Sequence, residues 1–279
     1  MQKTSLILGM AAACLAGLTA QAETVFSGDI GASIARTDFT NSDDDYEERI
    51  DGYSLTGTLR ADFGDWAAFA DFAHMRRDTI DDDFYDYAPK GASSLGLHFG
   101  RQFNELYAGA FLGKNWFQAY DTPTGNGFAS DSLYGVEAEY QFGPNTSLFA
   151  QVGMAEMVGY EGDNAFDGRF ARLGMATTFN ALTLAMDYEF GRSDDIFEDG
   201  GDWGEYKAFG IYAEYQFKPM LIGTMSLKQM DITANTEDNA DETTVAVGLK
   251  IPFGATYKRN NLTTTYNPGL AAAWASTLD

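Results

Sequence analysis

The chain has one cysteine and two histidines among 279 residues, and beyond residue 22 it has no long apolar run. Cys14 lies within "MQKTSLILGMAAACLAGLTAQA", where Lys3 is the only charge, an apolar stretch runs from Leu6 to Leu18, and small residues close the segment at Ala20-Gln21-Ala22. This is the grammar of a secretory signal peptide cleaved before Glu23, so residues 1–22 are expected to leave the mature chain and take its single thiol with them. A mature chain without cysteine has no disulfide and no thiolate ligand or nucleophile. Ala11-Ala12-Ala13 before Cys14 also fails the Leu-type lipobox of a lipoprotein. A membrane-spanning helix needs roughly 18 apolar residues, and no such run follows residue 22. Basic residues are scarce as well, with 18 Lys and Arg against 41 Asp and Glu and a formal charge of -23. That sign argues against binding nucleic acid or anionic lipid through a basic patch.

Aromatic residues, in contrast, make up 14% of the chain, and with 30 glycines they argue for an ordered protein rich in turns. The pentapeptide AEYQF occurs twice, at 138–142 and at 213–217, each time two residues before a proline. It belongs to a longer series. Phe63, Phe103, Phe142, Phe179, Phe217 and Phe253 follow one another at intervals of 40, 39, 37, 38 and 36 residues, and each closes an alternating segment and opens a tight turn. Such a period is the mark of a repeated supersecondary unit. Alternation identifies the unit as a hairpin: Tyr53, Leu55, Gly57, Leu59, Ala61 and Phe63 share one face, with Ser54, Thr56, Thr58, Arg60 and Asp62 on the other. Thr243, Val245, Val247, Leu249, Ile251 and Phe253 repeat the pattern near the end.

Twelve such runs are predicted, near 24–37, 51–63, 66–77, 93–103, 106–117, 132–142, 146–159, 168–179, 181–192, 206–217, 220–231 and 243–253. Short connections follow each marker Phe, and long, mostly acidic ones such as "TNSDDDYEER", "RDTIDDDFYDYAPK", "YDTPTGNGFAS" and "SDDIFEDGGDWGE" lie at the opposite end. A soluble sandwich or propeller also gives regular hairpins. Here, however, the apolar face recurs on every strand and the other face is rich in charge, which suits lipid outside and a polar lumen inside.

At this point the chain resembles the Gram-negative outer-membrane β-barrels of porin type, from the signal peptide through the hairpin repeat to "VAVGLKIPF", where Gly248, Ile251 and Phe253 match a barrel-assembly signal. The resemblance implies an all-β, antiparallel, up-and-down transmembrane β-barrel of about 12 strands over residues 23–253, with short periplasmic turns and long acidic extracellular loops. It implies location in the cell outer membrane, contact with its lipids and lipopolysaccharide, the barrel-assembly machinery as a partner during biogenesis, and passage of small solutes. Residues 254–279 depart from the pattern, since Phe253 is normally at or near the terminus. They form a C-terminal extension in which Asn267 and Pro268 could begin a short helix. It could lie in the periplasm, fold into the lumen or add strand pairing.

The expected pore lining is Arg60, Asp62, Asp71, His98, Glu137, Glu139, Arg172, Asp187, Glu189, Glu214, Lys228 and Lys250. The expected aromatic girdle is Phe63, Phe103, Tyr140, Phe142, Phe179, Tyr215, Phe217 and Phe253. Arg60, Lys228 and Lys250 fall on strands that meet at barrel closure, opposite a more acidic wall, an arrangement that resembles the constriction of general porins; charges that pair across the lumen and fill it are the alternative. The excess of inward carboxylates, Glu137, Glu139, Asp187, Glu189 and Glu214, implies a mild preference for cations in a passive channel. The other function class is a structural or adhesive barrel without an open pore. An enzyme is not expected: His74 and His98 are the only histidines, and no serine is evident in phase beside His74. Asp43-Asp44-Asp45 and Asp81-Asp82-Asp83 lack the Gly and terminal Glu of a calcium loop, so no metal and no cofactor are expected.

Overall fold

Alternation along each run becomes a strand, and the strands close on themselves. A computed structural model describes residues 24–41, 46–77, 91–122, 125–158, 164–193, 203–234, 239–254 and 259–264. It contains β1 (Val25–Asn41), β2 (Tyr46–Phe63), β3 (Trp66–Arg77), β4 (Gly91–Phe103), β5 (Leu106–Thr122), β6 (Gly125–Phe142), β7 (Thr146–Val158), β8 (Asn164–Phe179), β9 (Leu182–Ser193), β10 (Gly204–Lys218), β11 (Leu221–Ala234) and β12 (Asn239–Gly254). Each strand pairs antiparallel with its sequence neighbour, and β1 pairs with β12 from Ser27↔Gly254 to Asn41↔Ala240, which closes the barrel. Closure leaves no strand edge, so the wall's backbone groups pair within it, as hydrocarbon requires.

The face that would be the core of a sandwich lies outside. Ile34, Leu59, Val136, Leu173, Val247 and Ile251 are all exposed, whereas Asp71, His98, Glu137 and Arg172 are buried within. All six marker phenylalanines stand at the short-turn end of an even-numbered strand. Seven of the eight girdle residues are exposed on the outer wall; Phe63 is only 9% exposed because it stacks on Phe99 across β3.

Inward glutamines explain part of the AEYQF repeat. Gln102, Gln141 and Gln216 each precede a marker Phe, and their Nε2 atoms donate to the turn carbonyls of Asn104, Gly143 and Pro219. Their backbone N–H groups donate sideways to Asp65, Glu105 and Ala181 in the preceding turns. Tight reversals at Asn104, Asn180, Gly64 and Gly143 use positive φ, which glycine and asparagine tolerate.

The opposite end departs from expectation in strand length. "YDTPTGNGFAS", read as a loop, lies largely on β5 and β6, whose pairing shifts register between Gln118 and Asp121 and resumes to Thr122↔Gly125. Arg49 of "TNSDDDYEER" is likewise on β2, paired with Asp38 at 2.8 Å, beside a second exposed pair, Arg36–Asp51 at 2.7 Å. Ladder bonds and cross-strand pairs carry these hairpins beyond the apolar band. The signal peptide, both Asp triplets and the segment from Asn267 to Trp274 lie outside the described residues.

Candidate functional site

All twelve expected pore-lining residues take the inward phase. Eight of them, Asp71, His98, Glu137, Glu139, Arg172, Asp187, Glu189 and Glu214, are almost fully buried, while Arg60, Asp62, Lys228 and Lys250 keep partial exposure. For Asp71, Glu139, Arg172 and Glu214 part of the cover is the C-terminal extension. Residues 259–264 run inside the lumen, with Asn261, Leu262, Thr263 and Thr264 buried there.

Both copies of AEYQF help to hold that segment. Glu139 accepts from Asn261 Nδ2 at 3.0 Å, and Glu214 accepts from Arg259 Nη1 at 3.1 Å while also accepting from Lys250 Nζ at 2.8 Å. Arg172, fixed by Asp187, donates Nη1 to the carbonyls of Asn261 and Thr263 at 3.3 and 3.4 Å. Asp71 accepts from both the backbone and the hydroxyl of Thr264. Leu262 packs with Ala67, Phe69, Tyr107 and Phe149. At Gly96 an added Cβ would run into Thr264 Oγ1 and stand 2.7 Å from Asp71 Oδ1, so the wall needs glycine where Thr264 passes.

His98 joins two walls of this filled side. Its Nδ1 is 2.9 Å from Glu137 and its Nε2 is 2.8 Å from Asp71, with no solvent access to any of the three side chains. Glu137 also accepts from Gln151 and Tyr107. Carboxylates that accept from every side leave the imidazole to donate from both nitrogens. The ring stacks on Phe69 at 4.1 Å, and Phe111 and Phe170 continue the aromatic packing toward β8. These inward aromatics are invisible to an alternation that counts every Phe as outward. The carboxylates expected to favour cations thus have partners: Arg172 for Asp187, Tyr206 for Glu189, Lys250 and Arg259 for Glu214.

The other side of the lumen remains open. Gly31, Ser33, Gly52, Ser54, Ser226 and Ala246 present small side chains along β1, β2, β11 and β12, and a cavity of about 250 Å³ occupies the space. A second cavity of about 220 Å³ lies at the short-turn mouth, bounded by Pro144, Asn145, Asn180 and Ala181. Glu214 and Arg259 line both. Their ion pair therefore stands where the two spaces adjoin. Arg77 and Arg259, absent from the expected lining, both contribute cations to the larger cavity. Arg77 ends β3, at the margin of a predicted strand, and Arg259 lies beyond the last one.

Register also supplies a serine that no single strand revealed. His74 on β3 faces Ser93 on β4, with Nδ1 2.9 Å from Oγ on the exposed outer wall. Among the described residues no third group is hydrogen-bonded to His74 to orient it, and both partners sit on regular strands without a nest of donors for an oxyanion.

No protein-family model matches the chain, and comparison with curated proteins gives no match. Solved structures do resemble it. An outer membrane channel from Pseudomonas putida F1 superposes with a TM-score of 0.53 at 12% identity, covering 85% of this chain and 98% of the other. The translocator domain of the autotransporter NalP from Neisseria meningitidis gives 0.50 at 12% identity, covering 90% and 96%. At these identities the likeness is one of fold: the chain has the architecture of outer-membrane β-barrels.

Proposed function

We propose that the protein is a passive outer-membrane passage for ions and small hydrophilic solutes, narrowed by its own C-terminal segment. The observation that carries this reading is the junction at Glu214 and Arg259, where a polar cavity at the short-turn mouth adjoins a larger one reaching into the barrel. A barrel built only to be solid would have no need of the small residues that keep β1, β2 and β12 apart from the opposite wall. Lipid and lipopolysaccharide surround the apolar exterior in this reading, and the His74–Ser93 contact, without an orienting group among the described residues, supports no catalytic role. The preference for cations that the inward carboxylates imply belongs to the lumen without its segment, because the segment engages Glu139 and Glu214.

The second reading is a closed structural barrel, favoured by the depth at which Leu262 is packed, 1% exposed. Planar-bilayer recordings separate the two. The full chain should give small steps, and a chain lacking residues 259–279 should give larger ones. A correctly folded truncated barrel that shows no steps would leave the structural reading standing alone.

A further inference from the structure

The larger cavity has more than room for ions. We propose that it is a binding site for a small hydroxylated carboxylate of monosaccharide size. This deepens the passage reading by naming a solute class, but it concerns equilibrium binding and does not require the barrel to conduct.

Charge comes first. Arg77, Lys228, Lys250 and Arg259 line the cavity, against Glu214 and Glu242. Even when Glu189, whose carboxylate lies in the field of Lys228, is included, cations outnumber acids. Lys250 and Arg259 converge on one oxygen of Glu214. Arg77 spends Nη2 on Glu242 at 2.7 Å, and its side chain is only 8% exposed. Its Nη1 is buried and has no hydrogen-bond partner among the described residues. A buried donor left unpaired is costly, the more so when the group is charged. An anionic oxygen brought to Nη1 recovers that cost, and a carboxylate suits the fork of a guanidinium.

The neutral lining specifies the rest of the ligand. Ser54 and Thr56 on β2 and Thr224 and Ser226 on β11 place hydroxyls at the two flanks of the cavity, each able to donate and to accept, as sugar hydroxyls require. Ser33 and Ser54 already share a bond of 2.7 Å, and Thr37, Thr244 and Glu242 continue a polar chain to Arg77. A volume of about 250 Å³ falls below the roughly 300–1,000 Å³ of drug-sized pockets, which limits the occupant to a small molecule.

Equilibrium dialysis of the refolded full chain in detergent, with radiolabelled glucuronate and glucose as probes, tests the site. Glucuronate should bind saturably to one site, at least tenfold more tightly than glucose, and more weakly as salt is raised. Arg77→Gln combined with Glu242→Gln keeps a neutral pair and removes the guanidinium with its unpaired Nη1, and should weaken glucuronate at least tenfold. If that double variant does not fold, Lys228→Gln is read in the same way and should also weaken it. Absence of saturable binding to folded wild type, equal binding of glucose, or unchanged affinity in the folded variant would overturn the proposal. None of these outcomes depends on conductance, so the site and the passage fail separately.

Discussion

Asp71 on β3 accepts two hydrogen bonds from Thr264, one from the backbone N–H at 3.0 Å and one from the hydroxyl at 2.9 Å, across 193 positions of sequence. The contact ties the end of the described chain to β3, three strands from β12 around the ring. It joins the segment to the His98 bridge, since the same carboxylate faces His98 Nε2. Displacing Thr264 should therefore loosen the plug without breaking the wall.

Gly96→Val tests that coupling. The new side chain would intrude between Thr264 and Asp71, where even a Cβ has no space, while β4 keeps its ladder to β3 and β5. The variant should still run as a heat-modifiable barrel on a gel, and its single-channel conductance should rise toward that of the chain lacking residues 259–279. Unchanged conductance would mean that the segment yields locally and does not set the bore.

Strand number, strand phase and the marker phenylalanines were legible in the sequence because a wall between lipid and a lumen imposes a period of two on every crossing. The lumen's filling was not. Along β3, Ala67, Phe69 and Asp71 point inward while Ala68, Ala70 and Phe72 point outward, so hydrophobicity alone cannot say which aromatic enters. Nothing local in "RNNLTT" marks it as a plug either. Its place depends on Glu139, Arg172, Asp71 and Gly96 from four different strands, a three-dimensional coincidence that periodicity does not record. Ser93 escaped for the same reason: it meets His74 only through register.

The two faces of β12 separate cleanly in a pair of adjacent substitutions. Val247→Lys sets a cation on the exposed apolar wall and should cost roughly 2–4 kcal/mol if the position lies at mid-depth. Ala246→Lys projects into the larger cavity and should cost far less, since lumenal changes alter selectivity more than stability. Denaturant unfolding in lipid vesicles gives both values. The reverse ranking would mean that the apolar face is not the lipid face.

His98→Ala removes the donor between Asp71 and Glu137 and leaves two buried carboxylates facing each other. Breaking a buried charge pair in this way costs about 3–5 kcal/mol, and a loss of that order is expected in the same unfolding assay. Adding Asp71→Asn and Glu137→Gln, which relieves the repulsion, should recover much of it. Failure of the triple variant to regain stability would show that the stacking of His98 on Phe69 and Phe111, and not the bridge, is what the fold requires.

Selectivity should reverse when the segment is removed. With residues 259–264 in place, Asp71, Glu139 and Glu214 are engaged and the open cavity is lined by Arg77, Lys228, Lys250 and Arg259, so small anions should be modestly favoured. Without it, Arg259 leaves the lumen, Asp71 loses its two Thr264 donors while keeping His98, Glu139 loses Asn261, and Glu214 keeps Lys250. The field of the bore then turns negative, and opposite charges collect in it, most strongly at low salt where screening is weak. Reversal potentials across a salt gradient should accordingly move from the anion side for the full chain to the cation side for the chain lacking residues 259–279. Neutralising Glu139 and Glu214 in that truncated chain should move the potential back toward anions, because those groups set the field and do not build the wall. A truncated channel that stays anion-selective would place the controlling charges elsewhere, on the loops above the strands.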